Sequence, residues 1–242
     1  MFNTWIADAF RYFLEQLAPL PVDQWGPAFV GDVLGVWTPD LAAFTGAGSW
    51  AWLMAGMTGL GVVIGLWFVI PVTIHAAATG DLRALGQAFA GLLAAAAAGP
   101  TAIAVATALR QPILATASNI IGASTLTTLN TDSLFGALAA FLALLTYVLA
   151  GLIASYAFVF TVILAPLAAA ALVMKGGVQT FLKWLSWFLT LVFAPIFAAI
   201  GLALAGFMGT TVQVPGLADL ATAVGIVFAA FSPFLVLGLL GK

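Results

Sequence analysis

The sequence predicts an all-α polytopic membrane protein, with about five transmembrane helices behind an N-terminal amphipathic interfacial helix. Three observations carry that expectation. Hydrophobic residues make up 64% of the chain and charged ones 6%, against about 25% charged in a soluble domain. Mean hydropathy is +1.20, which no pairing of apolar core and wetted surface accommodates. Uncharged apolar runs long enough for a membrane helix recur along the chain, the longest from Leu134 to Met174. The absence of cysteine excludes disulfides and thiolate metal sites.

Residues 1–48 form an acidic segment, in which Arg11 stands against Asp8, Glu15, Asp23, Asp32 and Asp40. Phe2, Trp5, Ile6, Ala9, Phe10, Phe13, Leu14 and Leu17 recur at helical spacing, and Pro19 and Pro21 end the pattern. This helix is expected in the membrane interface on the extracytoplasmic side. The start of the chain lacks the basic flank and short apolar core of a cleavable leader, so it is expected to be retained. A second short piece is expected over 28–37, then a turn at Thr38-Pro39-Asp40.

Residues 49–242 form the expected bundle, with spans near 49–74, 85–107, 134–165, 184–208 and 217–240. The first opens on Trp50 and Trp52 and carries Trp67 toward its other end, as aromatic belts do. Gly61 and Gly65 share a smooth face and are candidates for helix packing or oligomer contact. His75, Asp81 and Arg83 read as a loop, and a lone histidine there reads as interfacial rather than as a ligand. The alanine-rich second span is expected inside the bundle or at a subunit contact. Arg110 to Asp132 is polar enough to leave the membrane, with Ile113, Leu114, Ala117, Ile120 and Ile121 as the apolar face of a surface helix. Asp132 or Ser133 is the expected cap of the next helix.

The run from Leu134 decides the parity of the topology. One helix from Leu134 to Ala165 would measure about 48 Å, against a hydrocarbon core of about 30 Å. No Gly, Pro or polar cluster marks a hairpin between Leu152 and Pro166, so one crossing is expected, bent at Pro166. Tyr147, Gly151 and Ser155 form a small, polar stripe, with Gly151 and Ser155 as packing candidates. Lys175, Gly176, Gly177 and Lys183 then read as a basic cytoplasmic loop, with Trp184 and Trp187 as interfacial anchors. Pro195 is expected to kink the fourth span by freeing the Leu191 carbonyl. Five crossings put Arg83, Lys175, Lys183 and Lys242 on one side. The positive-inside rule makes that side cytoplasmic, with the N-terminus outside and the C-terminus inside.

The chemistry is sparse. No formal charge falls in the interior of an expected span, which argues against a proton-coupled pump or a charged filter. No catalytic pair, metal cluster or cofactor motif is present. The glycines of GMTGLGVVIG follow no strand and lack the Lys-Ser/Thr of a phosphate loop. Each expected span contains a proline: Pro71, Pro100, Pro166, Pro195 and Pro233. The chain reads as non-enzymatic, with no catalytic, cofactor or metal residues.

The segment FVFTVILAPLAAAALVMKGGVQTFLKWLSWFLTLVFAPIFAAIGLALAG resembles the hallmark region of TrbL-type inner-membrane proteins of type IV secretion and conjugal transfer systems. The likeness rests on Pro166-Leu167, the loop Lys175 to Lys183, Trp184 and Trp187, and Ala194-Pro195, where the family commonly has Lys-Pro. The flanking AGLLAAAAAGPTAIAVATAL and ADLATAVGIVFAAFSPFLVLGLL resemble actinobacterial members. The resemblance implies a channel component that helps translocate DNA or protein across the bacterial cytoplasmic membrane. It also implies a homo-oligomer in membrane lipid, beside other secretion subunits that hydrolyse ATP. The alternatives are a small-solute transporter or permease subunit, with Thr146, Ser155 and Thr161 as its thin polar support, and a holin-like pore former.

Overall fold

The computed structural model describes residues 34–46, 48–122, 134–174, 176–212 and 217–240. The expected helix over 2–17, the Asp132 or Ser133 cap, Lys175 and Lys242 lie outside these residues. Among the described residues the structure is helical and without strands. Its helices are α1 (Ala51–Thr79), α2 (Leu82–Gly122), α3 (Leu134–Ile163), α4 (Ala165–Ala170), α5 (Gly177–Val192), α6 (Ala194–Thr211) and α7 (Leu217–Leu240). Short 3-10 turns occupy Gly35–Trp37, Ala42–Phe44 and Ala171–Val173. Five helices are long and apolar enough to cross a membrane: α1, α2, α3 from Phe141, α6, and α7. The chain is an all-α, multi-pass membrane protein.

Three boundaries depart from the sequence expectation. The first helix runs past Ile74 to Thr79, so His75 lies within it, exposed, and the connection to α2 is only Gly80-Asp81. Ala76, Ala77 and Ala78 are strong helix formers, and the first residue able to reverse the chain is Gly80, at φ +70°. Asp81 then caps α2, accepting the amides of Arg83 and Ala84 at 3.1 Å each.

The second helix does not end at Thr107. It continues through Arg110, Gln111 and Pro112 to Gly122, 41 residues in all, so a formal charge does sit within a membrane-length helix, though beyond its apolar run. Polarity at 110–112 marks a change of surroundings, and the flanking Leu, Arg, Gln and Ala are all good helix formers. One proline removes one amide without unwinding them. The third correction concerns 175–183. From Gly177 onward this segment is helical, so Lys183 lies in α5 and not in a loop, and the expected span 184–208 is interrupted at Phe193 between α5 and α6.

The chain divides into two compact units, each described by itself. One comprises residues 40–110, 156–192 and 237–242. Within it α1 and α2 form an antiparallel hairpin, and α4 with its following 3-10 turn packs on them. Ala95, Ala169 and Ala170 are fully buried at the contact, with Phe181 of α5 against them. The other comprises residues 1–39, 111–155 and 193–236. Its core joins Leu34 and Trp37 to Ala117, Ile121, Tyr147, Ala198, Leu202 and Ala229. The apolar face expected on a surface helix at 113–121 therefore packs into this core instead.

Small residues dominate both units. Lipid tails are as apolar as leucine, so helices in a membrane gain little by hiding leucine from lipid and associate through close packing. In the second unit Gly201 of α6 meets Ala229 of α7, and Gly225 of α7 meets Ala205 of α6. A Cβ added to either glycine would fall 2.6 Å from the facing alanine Cβ.

Candidate functional site

Two helix breaks each join a buried threonine to a buried proline. At the first, α3 ends at Ile163, and α4 begins at Ala165 with Pro166 in its first turn. At the second, α5 ends at Val192, and α6 begins at Ala194 with Pro195 in its first turn. Proline suits the first helical turn, where its missing amide would have had no intrahelical partner. The residue before each Ala-Pro pair, Leu164 or Phe193, takes up the interruption.

The two breaks share a sequence. Thr161-Val-Ile-Leu-Ala-Pro-Leu-Ala-Ala-Ala170 aligns with Thr190-Leu-Val-Phe-Ala-Pro-Ile-Phe-Ala-Ala199. Both threonines are buried, and each donates to the carbonyl four residues back, Thr161 to Ala157 at 2.7 Å and Thr190 to Ser186 at 2.8 Å. Both prolines are fully buried. Sequence reasoning found the prolines one at a time and missed their common setting. The signal was an Ala-Pro pair twice preceded, at the same interval, by threonine.

Within its unit the first break is held on three sides. A Cβ at Gly61 of α1 would lie 2.8–2.9 Å from Pro166 and its carbonyl, so only glycine admits the proline there. Gly99 of α2 lies against the Pro166 ring from another side, its added Cβ 3.3 Å from Pro166 Cγ. On the third side the Trp184 indole donates to the Thr161 carbonyl at 2.9 Å. That carbonyl is in the last turn of α3, where acceptors lack amide partners from their own helix. Trp184 is thus a brace on the break as well as an aromatic residue. It stacks on Phe188 at 5.4 Å, and Phe188 stacks on Phe158 of α3 at 6.0 Å.

The other expected packing residues find partners inside the chain. Gly65 faces Leu92, Ala170 and Val173. Gly151 lies under the Trp37 indole, whose Nε1 would be 2.7 Å from an added Cβ. Ser155 donates to the Val36 carbonyl, and Tyr147 packs on the Trp37 ring at 5.4 Å. The stripe Tyr147–Gly151–Ser155 is thus covered by the Gly35–Trp37 turn, and the Gly61/Gly65 face by α4 and α2. Gly176 makes the turn before α5 at φ +85°, and at Gly177 a Cβ would run into the Ala171 carbonyl. Trp187 is half exposed on α5.

No group of three His, Asp or Glu side chains gathers among the described residues. A cavity of about 1090 Å³ lies between α1 and α2 under the Ala42–Phe44 turn. Its lining is apolar apart from Thr45, Thr58 and Thr107, and Thr58 donates to the Met54 carbonyl at 2.9 Å.

No family model, curated protein or solved structure matches the chain.

Proposed function

We propose that the chain is a structural subunit of a bacterial translocation apparatus of the type IV secretion or conjugation class, helping DNA or protein across the cytoplasmic membrane. One observation carries the choice between this reading and solute transport. Thr146, Ser155 and Thr161 are the aliphatic hydroxyls spaced along the long helix, beside the phenols of Tyr147 and Tyr156, and each of the three donates to a backbone carbonyl, those of Leu142, Val36 and Ala157. A polar solute crossing beside α3 would find those donors engaged. What remains is a scaffold of small-residue contacts with large apolar faces outward, as a subunit embedded in lipid and other subunits requires. The resemblance of 158–206 to TrbL-type proteins supports the same reading.

On this proposal the chain is not an enzyme, and partner subunits hydrolyse ATP. The expected orientation is N-terminus outside and C-terminus inside, with the Gly80-Asp81 turn, Arg83 and Lys175 toward the cytoplasm. Because Gly61, Gly65, Gly151 and Ser155 are covered within the chain, oligomer contacts would use other faces, such as the open side of α1 at Gly56 and Gly59.

The permease reading has one observation in its favour, the two discontinuous helices, since transporters use such breaks to build substrate sites. Extraction in mild detergent separates the two. The secretion reading expects an oligomer that co-purifies with a secretion ATPase. A monomer that binds a small solute and no ATPase would overturn it. A tag after Gly176 should be reached from the cytoplasm; labelling from outside would reverse the orientation.

A further inference from the structure

The depth of Lys183 is set by its neighbours. On α2, Arg83 and Arg110 flank an apolar run and stand about 40 Å apart along the axis. Gly99, which meets Pro166, lies about 17 Å from Arg110 and about 24 Å from Arg83 on the same rise. Trp184 is bonded to Thr161, one turn and a half before Pro166, and Lys183 shares a recess with Thr161 and Leu164. Its backbone therefore lies roughly 10–17 Å in from the level of Arg110, and a hydrocarbon layer about 30 Å thick centred between the two arginines places it about 5–12 Å below the layer's surface.

Snorkelling does not resolve this position. Side chains on a helix lean toward its N-terminus, and the α5 N-terminus at Gly177 lies by Ala171, on the Arg83 side of Pro166. The lean takes Lys183 away from its nearer exit. Lys183 is exposed, beside a recess of about 360 Å³ bordered by Phe160, Thr161, Leu164, Trp184 and Trp187, with no carboxylate in its lining. An exposed cation at that depth is costly against lipid tails, and ionisable groups so placed face a water-filled cavity or a partner.

We propose that this recess opens to water within the membrane and is an anion site, with Lys183 supplying the charge and Trp184 and Trp187 the walls. A phosphate or carboxylate group is the ligand chemistry it fits. The inference rests on the membrane-spanning character of α1 and α2 and not on the secretion assignment, so either can fail alone.

The absence of cysteine allows a direct test in the full-length protein in membranes. Trp187→Cys and Phe160→Cys each place a single thiol at the recess while keeping Lys183, and Gly56→Cys places one on an exposed, open position of α1 at about the level of Thr161. The probes are two membrane-impermeant methanethiosulfonates, the anionic ethylsulfonate and the cationic ethyltrimethylammonium. The recess thiols should react, and the anionic probe should be favoured about tenfold relative to its preference for a free thiol. That is the ratio one unit charge some 6 Å away in water produces between probes of opposite sign. Adding Lys183→Gln should abolish the preference, and Lys183→Arg should keep it. The Gly56 thiol should stay unreactive. Recess thiols as inert as that control would overturn the water-filled recess, and equal preference with and without Lys183 would overturn the anion site.

Discussion

The helix that carries Pro166 in its first turn is 6 residues long and largely buried, ending in a 3-10 turn and the reversal at Gly176. The helix that carries Pro195 in its first turn is 18 residues long, a membrane-length helix. The residues around the two prolines are nearly the same, so the motif sets where a helix is interrupted but not how the chain continues. Downstream residues decide that. Leu172-Val-Met-Lys-Gly-Gly177 brings a glycine that reverses the chain. Gly201-Leu-Ala-Leu-Ala-Gly206 carries the helix on, with Gly201 letting α7 approach.

The first break should be the easier to damage, because its proline fits only beside glycine. Gly61→Leu is expected to destabilise the protein by about 3 kcal/mol or more through overpacking, read as a lowered midpoint of thermal unfolding in detergent. Gly56→Leu, on an open face of the same helix, should leave the midpoint unchanged; equal losses would mean that α1 tolerates no large residue anywhere. A smaller effect should come from the brace. Trp184→Phe keeps an aromatic ring on Phe188 but strips the Thr161 carbonyl of its donor, at a cost of about 1–2 kcal/mol. Trp187→Phe should stay within about 0.5 kcal/mol. If the two tryptophans respond alike, the indole bond contributes nothing particular to the break.

The smallest effect belongs to a third proline. Pro233 removes the amide that would reach the Ala229 carbonyl, and the Ser232 hydroxyl donates to that carbonyl at 2.8 Å. Ser232→Ala should cost about 1 kcal/mol, seen as a modest drop in the same midpoint, and Ser232→Thr should restore it.

The helical membrane class was legible because hydrophobicity is additive along the chain, and the last span, Leu217–Leu240, was read to its ends. Helix ends were harder wherever polarity stood in for a stop signal. His75 and Arg110 looked like exits, yet neither breaks a helix, whereas Gly80 does. The interruption at Phe193 was expected only as a kink. Partners were illegible for a different reason. Gly151 announced a close contact, but that the neighbour is Trp37 depends on a fold bringing distant residues together. Trp184 read as an interfacial anchor because its place in sequence, beside a cation, says nothing of the carbonyl at Thr161.

The sources of the two hydroxyl and indole donors also differ in time. A ribosome delivers Ser232 immediately before Pro233, so the carbonyl at Ala229 has its donor as soon as that turn of helix forms. Thr161 emerges well before Trp184, and until the later helix docks, its carbonyl must borrow a donor from water, lipid headgroups or the insertion machinery. The C-terminal helix can enter the bilayer complete. The long helix before Pro166 gains its last donor only once α5 has been made and has docked.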